Sequence, residues 1–236
     1  MKRVYDFLVK LGDNNNREWF NKNKGEYLKV QEIFNRFVEK LIADIEGWDE
    51  QIRDSHLQVK DCTYRIYRDT RFSKDKSPYK THMGAYICRS GKKSPYAGYY
   101  FHLEPSFGDG ATASGYLGNS LLAAGLYCPD TKIVQSLRDE ISVNGDSLLD
   151  AISEAQGFEL ETYNVLKKVP RGYEDIEERW KDLIKHKDFS IGMSLPLELL
   201  DRGDDELLEY VSARFKSCRH FNELLNMAVE YAIEEM

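Results

Sequence analysis

The sequence predicts an α+β fold: a single domain with a mainly antiparallel central sheet covered by N- and C-terminal helices. Three observations carry this expectation. Apolar residues recur at three- and four-residue steps up to about residue 46, and short runs rich in Tyr, Ile and Phe follow between about 62 and 127. The helical period then returns from about 130 to 235. Helices, then strands, then helices is the order of an α+β domain rather than the strict alternation of a doubly wound one.

The first helical block covers residues 4–11 and then about 16–45. In the second segment Tyr27, Val30, Phe34, Phe37, Val38, Leu41, Ile42 and Ile45 make one apolar stripe. Asn15 with Glu18 three residues later resembles a capping box, and Gly47 suits a left-handed stop at the far end. Residues 62–69, 83–89, 96–104 and 121–127 read as strands, a block rich in Tyr, Ile and Phe whose runs are separated by Gly, Pro and Ser. Between the last two, residues 105–120 (PSFGDGATASGYLGNS) have the composition of a mobile loop. After Pro129, Ile133, Val134, Leu137 and Ile141 mark one helix and Leu148, Leu149 and Ile152 another. Ile176, Trp180, Leu183 and Ile184 mark a third, and two more are expected over 206–215 and 219–234.

At 236 residues the chain can bury a full core without disulfide or metal support. No apolar run approaches the roughly 18 to 20 residues of a membrane span. The N-terminus lacks the uninterrupted apolar stretch and small-residue cleavage site of a secretory signal. A cytoplasmic protein is expected, and no membrane partner. Cys62, Cys88, Cys128 and Cys218 form no CxxC pair, so reduced and mostly buried thiols are the expectation. His56, His82, His102, His186 and His220 include no HxH or HExxH spacing, and no metal or cofactor is expected. Nor is there a P-loop ending, a dinucleotide GxGxxG or a GxSxG elbow.

Function is signalled most strongly by residues 64–80, YRIYRDTRFSKDKSPYK. The formal net charge of the whole chain is -7, yet this segment gathers Arg65, Arg68, Arg71, Lys74, Lys76 and Lys80 against only Asp69 and Asp75. Guanidinium groups match planar or tetrahedral oxyanions, so such a patch suits a phosphate or carboxylate. Taking residues 62–68 as extended, parity puts Arg68 with Ile66 and Tyr64, and Arg65 with Asp69 and Arg71. Arg68 is then the buried arginine, in need of a partner. Arg65 and Arg71 form the expected clamp, with Lys74, Lys76, Tyr79 and Lys80 folding back beside it after Pro78. The alternative is an internal ion-pair lattice in which Arg68, Asp69 and Asp75 tie helices to sheet.

A second basic group, Lys167, Lys168 and Arg171 beside Gly172, suits either an anion site, chiefly through Lys168 and Arg171, or a solvated turn. Tyr100, His102 and Glu104 share a strand face, compatible with an acid-base pair or with a satisfied sheet histidine. Catalytic residues are not assigned by any of these patterns.

Several motifs in order, DNNNREWFNKNKGEY (13–27), YRIYRDTRFSKDKSPYKTH (64–82), YYFHLEP (99–105), AGLYCP (124–129) and LKKVPRGYED (166–175), resemble a widespread family of conserved bacterial and fungal proteins known as a domain of unknown function. The resemblance implies one domain of about this length and brings no catalytic residue, substrate or cofactor. Residues 105–121 depart from the pattern, where a tighter connection is expected. Three function classes follow: a site for a small phosphorylated or otherwise anionic ligand, a nucleic-acid contact, and a protein-interaction module with a basic face. A sequence pI near 5.4 speaks against a broad nucleic-acid footprint and places the small ligand first. Oligomeric state is not encoded in any of these features.

Overall fold

The structure, a computed structural model, describes residues 1–106 and 117–234. Most of the loop expected over 105–120 therefore lies outside the described residues. Helix α1 (Lys2–Asp13) leads into α2 (Arg17–Lys22) and the long α3 (Lys24–Glu46), whose entire predicted apolar stripe is buried. The cap of α2 is Asn16, which accepts from the Trp19 amide, and not Asn15. The Asn15 amide is already used: it donates to the Tyr79 carbonyl and accepts from the Tyr79 N–H. Gly47 is right-handed (φ -68°) rather than a left-handed stop, because the turn runs on and the Trp48 and Asp49 amides still bond to Ile45. Short helices α4 (Glu50–Asp54) and α5 (Val59–Cys62) follow.

Residues 62–69 do not form the expected strand. Thr63 closes α5, with both its amide and hydroxyl bonding back to the Val59 carbonyl. Beyond it the chain makes an irregular excursion stitched by single bridges, Thr63 to Ala85 and Tyr67 to Tyr79. The sheet itself starts at β1 (Met83–Cys88) and continues through β2 (Gly98–Leu103) and β3 (Leu121–Leu126), close to the predicted runs. Helix α6 (Thr131–Glu154) then crosses over, broken at Asn144 as the two-helix reading requires.

Two strands come from the block expected to be wholly helical: β4 (Glu159–Leu160) and β5 (Phe189–Ser194). The sheet order is β1-β2-β3-β5-β4, antiparallel throughout. The predicted Trp180 helix is replaced by two 3-10 turns, 178–180 and 183–185, which still bury Trp180, Leu183 and Ile184. Trp180 wedges against Gly145, where a Cβ would lie 2.7 Å from its ring, so the segment follows α6 instead of coiling independently. Helices α7 (Leu199–Arg202), α8 (Asp204–Ser217) and α9 (Arg219–Glu234) complete the described chain. No helix among the described residues is long and apolar enough to cross a membrane.

Strand alternation gives the sheet two unlike faces. One carries Ala85, Ile87, Tyr99, Phe101, Leu103, Leu122, Ala124 and Ile191, all buried. Against it lie Phe34 and Phe37 of α3, each within 6.2 Å of the Phe101 ring, and Phe215 of α8, 5.4 Å from Tyr99. Each such aromatic contributes about 1.5–3 kcal/mol on burial, which makes this face the core. Among the described residues no helix is packed over the opposite face, and the polar residues of the strands point there.

Candidate functional site

In register across that open face stand Tyr86, Tyr100, Ala123, Gly192 and Glu159, one from each strand. The row descends from two large rings on β1 and β2 to small residues on β3 and β5, and the missing bulk becomes a cleft. Its volume is about 1440 Å³, with Tyr86, Tyr100, Ala123, Ser190, Gly192 and Ser194 among its floor residues. Two glycines shape it. A Cβ on Gly192 would lie 2.2 Å from the Glu161 carboxylate, and one on Gly84 would lie 2.8 Å from the Tyr100 hydroxyl.

The cleft is electrostatically unequal from edge to edge. At the β1 edge Lys80 and Lys92 place their ammonium groups 5.4 Å and 5.9 Å from the Tyr64 ring centroid, cation-π geometry for both. Burial, and then the nearby Arg65 charge, lower the Lys80 pKa. At the β4 edge the lining includes Glu159 and Glu161, and burial raises the Glu161 pKa.

Between them, on β2, a hydrogen-bonded chain runs from the cleft into the protein. The Tyr100 hydroxyl lies 2.8 Å from His102 Nδ1, and His102 Nε2 lies 2.9 Å from Glu104 Oε2. That same carboxylate oxygen accepts the Leu117 and Gly118 amides, both at 3.1 Å. His102 and Glu104 are fully buried, and the His82 ring packs on His102 at 4.8 Å. Ligand-type atoms of His82, His102 and Glu104 all lie within 4.8 Å of one another, so these are the residues that could hold a metal ion. His102 and Glu104 already direct their ligand-type atoms at each other, which makes the arrangement first of all a hydrogen-bonded network.

The residues singled out from the sequence are dispersed. Lys80 lines the cleft; Arg65 is exposed beside it; Lys74 is exposed. Arg71 is engaged by Asp69 at 2.6 Å, a bond that pulls the Asp69 pKa down to about 2. Lys76 donates to the Thr70 carbonyl. Tyr79 faces the helices, stacked on Phe20 at 3.9 Å. Arg68, with 14% of its side chain exposed, pairs with Asp75. Burial alone would raise the Asp75 carboxyl, but bonds from Ser77 and then Arg68 hold it at about 2. Lys168 is exposed. Arg171 borders a separate shallow pocket of about 510 Å³ with Asp139 and Tyr173, and there the Gly172 amide is taken by Glu174.

Lys92, His82 and Glu161 carry no local sequence signal, since only the tertiary fold brings them to the cleft. Tyr100, His102 and Glu104 do carry one, the i, i+2, i+4 spacing of polar groups along a strand.

Comparison with known proteins bears on residues 3–224, which match the family model described as conserved hypothetical protein (DUF2461), and the chain belongs to that family. No curated protein and no solved structure matches the chain.

Proposed function

We propose that the protein binds a small anionic ligand, a phosphate or carboxylate compound, in the cleft on the open face of its sheet. The anionic group is held at the β1 edge by Lys80 and Lys92. The observation that carries this reading is the convergence of two lysines on one aromatic ring, Tyr64, at the wall of a cleft of about 1440 Å³. Ammonium groups there recruit an oxyanion, while the tyrosine-lined floor supplies apolar surface and hydroxyl groups for the rest of the molecule. Instead of the Arg65 and Arg71 clamp expected from sequence, this reading uses Lys80, expected beside that clamp, together with Lys92.

The test is a thermal-shift and calorimetric screen of inorganic phosphate, sugar phosphates, nucleotides and carboxylates against the wild type and a Lys80→Ala/Lys92→Ala double variant. Stabilisation by a compact anion that the double variant loses supports the reading. A second reading has its own observation: Phe72 is 95% exposed, beside Arg71, Lys74 and Lys76 on the excursion. Exposed rings among cations suit base stacking. Fluorescence anisotropy with oligonucleotides separates the two. Tight, steeply salt-dependent binding lost in Phe72→Ala, with no small-anion stabilisation, would replace the cleft reading by a nucleic-acid contact.

A further inference from the structure

We infer that Tyr100, His102 and Glu104 form a proton relay that makes the Tyr100 hydroxyl a general base toward a hydroxyl group of the ligand in the cleft. The inference rests on the cleft reading above for the place where the ligand sits.

The direction of the relay follows from its hydrogen bonds. Glu104 Oε2 already accepts two backbone N–H groups, so toward His102 it is an acceptor as well. The ring proton of neutral His102 is thereby placed on Nε2, leaving Nδ1 as the acceptor of the Tyr100 hydroxyl. The Glu104 backbone is held on both sides by one side chain: its amide donates to Ser120 Oγ at 2.9 Å, and the Ser120 hydroxyl donates to the Glu104 carbonyl at 3.0 Å. A buried carboxylate orienting an imidazole, which in turn faces a hydroxyl, is the geometry of an activated hydroxyl.

Tyr100 supplies the surface end: it lines the cleft, while His102 and Glu104 are fully buried behind it. In the step, the proton of a ligand hydroxyl passes to Tyr100 Oη as the Tyr100 proton passes to His102 Nδ1. The electron pair of the broken O–H bond stays on the ligand oxygen, and the imidazolium formed is neutralised by Glu104. Tyr100 is the catalytic group; His102 and Glu104 act through it. The relay lies on β2, one strand in from the β1 edge and its lysines, so the reacting hydroxyl and the anionic group belong to one compact ligand.

Tyr86, its neighbour in the row, is a natural control. Its hydroxyl is directed at backbone, toward the Tyr96 and Gly125 carbonyls at 2.9 and 2.8 Å, rather than at an imidazole. Tyr127 and Tyr163, 69% and 59% exposed on the same cleft, are more accessible than Tyr100. Accessibility and activation therefore predict opposite orders of reactivity.

The experiment uses an aryl sulfonyl fluoride on the intact protein, with modified tyrosines located by peptide mass spectrometry. Tyr100 oxygen bonds to sulfur, the S–F bond breaks, fluoride leaves and the tyrosine proton goes to His102. The expected result is labelling of Tyr100 about ten-fold or more faster than Tyr127 and Tyr163, with the advantage lost in His102→Gln. Labelling in order of exposure, or an undiminished rate in His102→Gln, would overturn the relay. Should His102→Gln fail to fold, the wild-type imidazole ¹⁵N spectrum decides: a protonated Nε2 with an unprotonated Nδ1 is required, and the opposite tautomer refutes the mechanism. Adding inorganic phosphate addresses the binding reading separately, because protection or thermal stabilisation by phosphate does not depend on whether Tyr100 is activated.

Discussion

Lowering the pH should weaken the fold through buried histidines, chiefly His82, before the paired carboxylates of Asp69 and Asp75 become involved. His82 is 8% exposed, and burial, followed by its neighbours His102, Lys80 and Arg68, pushes its pKa from 6.5 to about 2. With the folded value depressed, the unfolded chain takes up a proton as the pH falls through about 6.5 and the folded protein does not. The stabilisation is therefore fully present above that pH and is lost below it. Between about pH 7.5 and pH 5 the loss from this residue comes to about 2 kcal/mol, from one proton bound only by the unfolded state. His186, also lowered by burial, adds a loss of the same sign. Asp69 and Asp75, held at about 2, enter only below an unfolded carboxyl pKa of about 3.9, outside this window. The assay is urea denaturation at several pH values for the wild type and His82→Asn, compared by the slope of unfolding free energy against pH. The slope should fall by up to one proton in the variant. Equal slopes would refute a buried, neutral His82.

Three further outcomes are expected. Arg68→Ala should cost about 2 kcal/mol in denaturant unfolding, since it strips a mostly buried cation from the half-exposed Asp75, whereas Arg71→Ala, removing a solvent-exposed pair, should leave the unfolding midpoint essentially unchanged. Asn15→Ala removes both bonds to the Tyr79 backbone and should cost about 1–2 kcal/mol, with faster amide exchange around residue 79; unchanged exchange there would contradict the tether. A native thiol titration should find a single fast cysteine, Cys128, because Cys62, Cys88 and Cys218 are buried with pKa values raised to about 12, 11 and 12. A second fast thiol would show that one of these buried sites opens readily.

The sequence was most legible where a single period governs. The stripe of α3 and the runs of β1, β2 and β3 have one buried face each, and burial enforces the spacing. β5 carries its own signal: Phe189, Ile191 and Met193 alternate with Ser190, Gly192 and Ser194, a two-residue period that its helical flanks mask. Residues 62–69 had strand composition, but Thr63 satisfied its backbone by capping α5, and local hydrogen bonding overrode β propensity. The basic motif was recognisable, yet its own carboxylates decided its fate. Asp69 and Asp75 lie within a few residues of Arg71 and Arg68 and engage them, while Lys80 is carried to the cleft by the chain's approach to β1. Charge counting along the segment could not foresee which cations would be neutralised by folding.

Distance across the sheet limits what the cleft can bind in one piece. Neighbouring strands lie about 4.8 Å apart, so four steps from β1 to β4 separate the basic edge from the acidic edge by roughly 19 Å. A compact ligand cannot bridge both. On the reading proposed above, a ligand whose anionic group sits beside Lys80 and Lys92 would place its reacting group one step away, over β2, where Tyr100 stands. Glu159 and Glu161 would then repel a second anionic group from the far half of the cleft, which disfavours long polyanions more strongly than single phosphates or carboxylates. The two proposals together thus require one kind of ligand, which is what the screen must find: small, anionic at one end, and carrying a hydroxyl about one strand spacing from that charge.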